Sequence, residues 1–80
     1  MGRIRCTSTN RTGDNLNVTG ILIDPSAGSW VLVVQDKSGA TVFSAKGSTA
    51  DAVYYDIKDN WVGANITTST NITATYIYTN

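Results

Sequence analysis

The sequence has no histidine and no glutamate, and only one cysteine and one proline in 80 residues. Each scarcity excludes something. Without histidine, neither a Ser-His-Asp nor a Cys-His arrangement can be assembled, and general acid–base work would rest on aspartate alone. The expectation is a protein that is not an enzyme. Cys6 has no second thiol to pair with, so no disulfide closes within the chain, and no Cys/His cluster is present to hold a structural zinc. A solitary thiol fits synthesis in a reducing cytosol. All six acidic residues are Asp; Asp favours turns and caps where Glu favours helices, so few or no helices are expected. Six Lys and Arg balance the six acids to a net charge of zero, which provides no electrostatic footprint for nucleic acid. No basic segment leads into an apolar leader core, and no apolar run approaches a membrane-spanning length, so neither secretion by that route nor membrane insertion is expected.

What is present is β chemistry: Thr, Val, Ile and Tyr in short alternating runs. A chain of 80 residues supports one domain, 1–80, and buries only roughly 60% of its unfolded surface, which leaves an isolated monomer marginal. With disulfide and zinc excluded, contact between subunits is the remaining source of stability.

The strongest local signal is Trp30-Val31-Leu32-Val33-Val34-Gln35. It reads as a strand with both faces apolar, Trp30, Leu32 and Val34 on one and Val31 and Val33 on the other, and so as a strand covered on both sides. Asp36-Lys37-Ser38-Gly39 then supplies a type I turn closed by a left-handed Gly, and Thr41 to Ala45 returns beside the first run as a hairpin. Upstream, Gly2 to Ser8 alternates as an edge strand with Ile4 and Cys6 on one face and Arg3 and Arg5 on the other, and Asn10 to Asn15 reads as a polar loop. Leu16 to Ile23 is a strand interrupted by Gly20, which marks a bulge or a close backbone approach. Asp24 to Ser29 is a turn. Downstream, Ala50 to Ile57 places Ala52 and Tyr54 opposite Val53, Tyr55 and Ile57. Lys58-Asp59-Asn60 reads as a turn, Trp61 to Thr67 as a strand bent at Gly63, and Ser69-Thr70-Asn71 as another turn. The last run puts Ile72, Ala74, Tyr76 and Tyr78 on one side. About seven short strands at this spacing predict an all-β fold, a small antiparallel β-sandwich or partly open barrel.

Few residues offer chemistry. Asp51, Asp56 and Asp59 with Asn60 form the only local acidic group, but their spacing does not match a calcium loop, and the expectation is no metal and no cofactor. Asn-x-Thr triplets at Asn10, Asn17, Asn65 and Asn71 are what an Asn- and Thr-rich chain produces by chance. Arg3 and Arg5 protect an edge strand from promiscuous pairing, or dock on an acidic partner. Trp30 and Phe43 are assigned to the core. Tyr54, Tyr55, Trp61, Tyr76 and Tyr78 either fill a small core or form an aromatic platform suited to an interface or to stacking on sugar. The candidate interface residues are Arg3, Arg5, Tyr54, Tyr55, Trp61 and Tyr78.

The order of these elements resembles that of small virion-associated proteins of tailed bacteriophages. The residues that carry the resemblance are the short basic first strand, Ile21-Leu22-Ile23, Val33-Val34-Gln35-Asp36-Lys37-Ser38-Gly39, Trp61-Val62-Gly63-Ala64-Asn65-Ile66-Thr67 and Ala74-Thr75-Tyr76-Ile77-Tyr78. The resemblance implies a structural component of the virion, made in the host cytoplasm and used in many symmetric copies. It would be a capsid decoration (cement) protein or a head-fibre, neck or tail accessory subunit. Its partners would be the major capsid protein or other virion subunits and further copies of itself, with no nucleic acid and no membrane. The alternative is a receptor- or glycan-binding module of a fibre, with Trp61 and the tyrosines stacking on sugar.

Overall fold

A computed structural model describes the backbone of residues 2–6 and 11–80, and within these all side chains except those of residues 2, 4, 6 and 11–14. Six strands form: β1 (Gly2–Cys6), β2 (Arg11–Pro25), β3 (Trp30–Gln35), β4 (Thr41–Gly47), β5 (Val53–Thr70) and β6 (Ile72–Thr79). They make one antiparallel sheet in the order β1-β6-β2-β5-β3-β4, open at β1 and β4. The fold is all-β, and among the described residues no helix is long and apolar enough to cross a membrane.

The strand count is six rather than about seven, because Lys58-Asp59-Asn60 does not reverse the chain. Asp59 and Asn60 lie within the ladder opposite Val18 and Asn17. Their polar groups are satisfied sideways: Asp59 accepts the Trp61 indole N–H at 3.0 Å and the Asn60 backbone N–H at 2.9 Å, and the Asn60 amide donates to Asn17. Residues 11–15, expected as loop, likewise begin β2, with Arg11, Thr12 and Asn15 paired to β5. Polarity alone does not end a strand when one face is solvated. The expected placement of Ile4 and Cys6, the continuation over Thr7 and Ser8, and Asn10 lie outside the described residues.

At 15 and 18 residues, β2 and β5 are far longer than the usual five or six. β5 is used in two segments. From residue 53 to 65, β5 pairs with β2, and from Asn65 to Thr70 it pairs with β3. The handover falls just after Gly63, whose φ of 84° belongs to a region that a side chain disfavours, and opposite a register shift between Thr12 and Asn15. A second shift sits at Gly20, where the bulge was expected, and moves the inward positions of β2 from Leu16 and Val18 to Ile21 and Ile23.

These irregularities bend the sheet over its own interior. Leu32, Ile21, Ile23, Val34 and Ile77 are completely buried, although the described residues place no helix above them. The sheet folds towards itself there, since β3 comes against β6 without pairing to it. The shortest dimension, 17 Å, accommodates two backbone layers at the usual spacing of about 10 Å. Leu16, Val18, Trp30, Trp61, Ala64 and Ile66 complete the core, and Phe43 packs against it from β4.

The hairpin forms as its sequence predicts, with β4 continuing two residues past the expected end at Ala45 to Gly47. The Asp36 N–H donates to the Ala40 carbonyl at 2.8 Å, the Gly39 N–H returns to the Asp36 carbonyl at 3.1 Å, and Gly39 has φ 92°. The strand is not covered on both sides, however. Trp30, Leu32 and Val34 are buried, whereas Val31 is 36% exposed. A single coiled sheet has one interior, and Val31 and Val33 face outward among Lys46, Ser44, Thr70 and Thr68.

The turn also contains an acid that the fold clearly shifts. The Ser38 hydroxyl at 2.7 Å, followed by the N–H groups of Ala40 at 3.0 Å and Ser38 at 2.9 Å, holds the Asp36 carboxyl below its usual 3.8. Because the folded value is lowered, its contribution to stability is complete above pH 3.8 and disappears as the pH falls through the lowered value. Asp36→Asn is expected to remove that part of the acid dependence and leave the rest of the acid-unfolding curve in place. Denaturant midpoints for both proteins between roughly pH 2 and pH 7 check it, and identical pH profiles would refute it.

Candidate interaction surface

Strand pairing aligns the outward side chains of four neighbouring strands into rows. One row reads Arg3, Tyr78, Gly20, Asp56 across β1, β6, β2 and β5. The next reads Arg5, Tyr76, Leu22, Tyr54. Arg3, Arg5, Tyr54 and Asp56 are exposed, and Leu22, Tyr76 and Tyr78 are partly covered.

The rings and cations in these rows touch. The Arg3 guanidinium carbon lies 5.0 Å from the centre of the Tyr76 ring and that of Arg5 lies 5.8 Å from it. The Arg5 Nε–H also donates to the Tyr76 hydroxyl at 3.0 Å. Such contacts at exposed sites contribute about 0.5–1 kcal/mol each, enough to favour one arrangement of two long, mobile side chains. Tyr54 meets Tyr78 edge to face, with centroids 6.0 Å apart and planes at 68°. Its ring lies diagonally across Gly20, so that a Cβ there would overlap the Tyr54 hydroxyl. The missing side chain at Gly20 therefore lets an aromatic ring lie across β2 where it would otherwise stand away from the sheet.

Four of the six candidate residues, Arg3, Arg5, Tyr54 and Tyr78, thus share one face. Two do not. Trp61 is 1% exposed and packs in the core, its indole N–H satisfied by Asp59. Tyr55 is on the inner side of β5, edge-on to Phe43 at 5.4 Å. Both corrections follow from alternation along β5: Tyr54 points out, while Tyr55 and Trp61, an even number of positions apart, point in, and only beyond Gly63 do the inward positions change, to Ala64 and Ile66. Tyr76 is the residue that joins the two arginines to the aromatic cluster. Its signal was its parity with Tyr78, but its importance depends on β1 lying beside β6, a contact between residues 71 apart in sequence.

The remaining surface offers less chemistry. Open depressions are lined by Val31, Val33, Ser44 and Lys46, by Asn17, Lys58, Asp59 and Asn80, and by Asp36, Lys37, Ser38 and Val62. Each has at most one carboxylate. Among the described residues no group of three or more Cys, His, Asp or Glu is placed to hold a metal ion. The Asn17 side chain accepts from Asn60, and that of Asn71 donates to the Ser29 carbonyl at 3.0 Å, so both amides are part of the fold's own bonding. No family model, curated protein or solved structure matches the chain.

Proposed function

We propose that the protein is a non-enzymatic assembly subunit that binds other proteins through the outer face of β1, β6, β2 and β5. In the setting implied by the sequence resemblance it is a capsid decoration (cement) protein of a tailed-phage virion, present in many copies and held on the major capsid protein or neighbouring virion subunits. The observation that carries the reading is the gathering of Arg3, Arg5, Tyr54, Tyr76 and Tyr78 on one face. Arg and Tyr are residue types that concentrate binding energy at protein interfaces, because both present large contact area with a polar tip and the rigid Tyr ring loses little side-chain entropy on docking. The coiled sheet with unjoined edges fits the partly open barrel form of the fold. Its small core suits a subunit that gains stability by assembling.

Mixing the protein with undecorated capsid shells is expected to give saturable binding and to raise the temperature at which the shells disrupt. Shells that neither bind it nor gain stability would overturn the cement reading. The glycan-binding alternative is favoured by one observation, the half-exposed Tyr54 ring. The burial of Trp61 removes the larger stacking residue from it, and a patch of several rings fits a protein surface better than a single ring in a groove.

A further inference from the structure

We propose that the outer face of β1, β6, β2 and β5 binds the same face of a second copy of this chain. The contact is two-fold, with its axis parallel to the strands and midway between β6 and β2. This inference rests on the assembly reading above and assigns its self-association to one surface and one geometry.

The argument is in the order of charges along each row. Arg3 is at the β1 end and Asp56 at the β5 end of the same row, with Tyr78 and Gly20 between them. Neighbouring strands lie about 4.8 Å apart, so three spacings put the backbones of Arg3 and Asp56 roughly 14 Å apart. Within one chain Arg3 lies over the Tyr76 ring instead. A two-fold rotation about an axis parallel to the strands keeps each row at its own height and exchanges its ends. Arg3 of each copy then lies over Asp56 of the other, and Arg5 of each over the exposed Tyr54 ring of the other. Tyr76 and Tyr78 come together at the centre against Leu22 and the position of Gly20. Opposite charges meet at both ends and aromatic area meets in the middle, as an isologous contact requires. An axis perpendicular to the strands would instead bring arginine against arginine along β1. The charge order therefore selects the occupant and also its orientation. Aligned sheets pack within about 30° of each other, a deviation that the length of an arginine side chain accommodates.

The test uses two variants of the full chain, Arg3→Asp and Asp56→Arg, both at exposed positions. Circular dichroism first verifies that each retains the β spectrum. Sedimentation from about 10 μM to about 1 mM covers the range in which small interfaces associate. Wild type is expected to dimerise reversibly. Each variant alone places like charges at both ends of the contact and is expected to associate at least about tenfold more weakly. Mixed together, the two variants restore both opposite-charge pairs, and a heterodimer as tight as wild type is expected. A wild type monomeric throughout the range, a variant that dimerises as well as wild type, or a mixture no tighter than its components would each overturn the proposal. Shell binding separates this result from the broader reading: a monomer that still decorates shells overturns the two-fold contact alone, and a dimer that ignores shells overturns the cement role alone.

Discussion

Trp61→Ala is expected to lower the melting temperature by at least about 12 °C. The indole is 1% exposed, opposite Leu16 in the β2–β5 ladder and inside the cluster that includes Val18, Ile66 and Ile77. Truncating a buried Trp to Ala costs about 3–5 kcal/mol, the lost transfer free energy plus the cavity left behind. At 0.05–0.15 kcal/mol per residue, a domain of this size has a total stability of about 4–12 kcal/mol, so one residue accounts for a large share. With Tm falling about 4–8 °C per kcal/mol in domains of this length, the decrease is expected to be at least about 12 °C. Trp61→Phe, which keeps most of the ring, is expected to recover most of the loss. Thermal melts followed at a β-sheet wavelength provide the measurement. A Trp61→Ala melt within a few degrees of wild type would show that the ring is not in the core, and would return it to the list of surface residues available for sugar stacking.

The second large effect is expected from the addition of a single methyl group. Trp30 is directly opposite Gly47 in the β3–β4 ladder, and its indole lies across that glycine closely enough that a Cβ would overlap three ring atoms. Trp30 is 3% exposed and fills the core beside Leu32 and Val34, so the ring has nowhere to go without opening the hairpin. Gly47→Ala is expected to destabilise the fold by about 1–3 kcal/mol through overpacking. In a Trp61→Phe background, where Trp30 is the only tryptophan, its fluorescence is also expected to shift to longer wavelength as the indole meets water. Unchanged emission and an unchanged denaturant midpoint would refute the contact. The comparison with Gly20 is instructive. A Cβ there meets only the outer end of Tyr54, which is 51% exposed and free to swing into solvent. The overlap is similar on paper, but the consequence depends on whether the neighbour is enclosed.

The same distinction explains what was legible in the sequence. The hairpin, read over residues 30–45 and found to run two residues further to Gly47, was readable because its signals are local. Turn chemistry at Asp36 and Gly39 and alternation on either side need no distant partner. The bulge at Gly20, the turn at Asn71 with φ 57°, and the opposite faces of Tyr54 and Tyr55 were readable for the same reason. Lys58-Asp59-Asn60 misled because turn-forming side chains also serve as cross-strand donors and acceptors. Which of these they do depends on whether Asn17 and Trp61 are within reach. Val31 and Val33 misled because an apolar face is not necessarily a covered one.

The sequence by itself determined that the chain is all-β, where its hairpin turns, where β2 is interrupted and that Tyr54 and Tyr55 take opposite faces, since backbone preference and period-two alternation act over a few residues. The last run, expected to put Ile72, Ala74, Tyr76 and Tyr78 on one side, instead buries Ala74 with Thr75 and Ile77 and packs Ile72 on the core. Tertiary structure alone decided that the strands form one sheet in the order β1-β6-β2-β5-β3-β4, that Trp61 lies inside it, and that Arg3 and Arg5 meet Tyr76. Those outcomes depend on pairing between opposite ends of the chain, as where Gly2 lies opposite Thr79. Backbone hydrogen bonds are the same for any two strands, so only the burial of one shared interior selects which strands become neighbours.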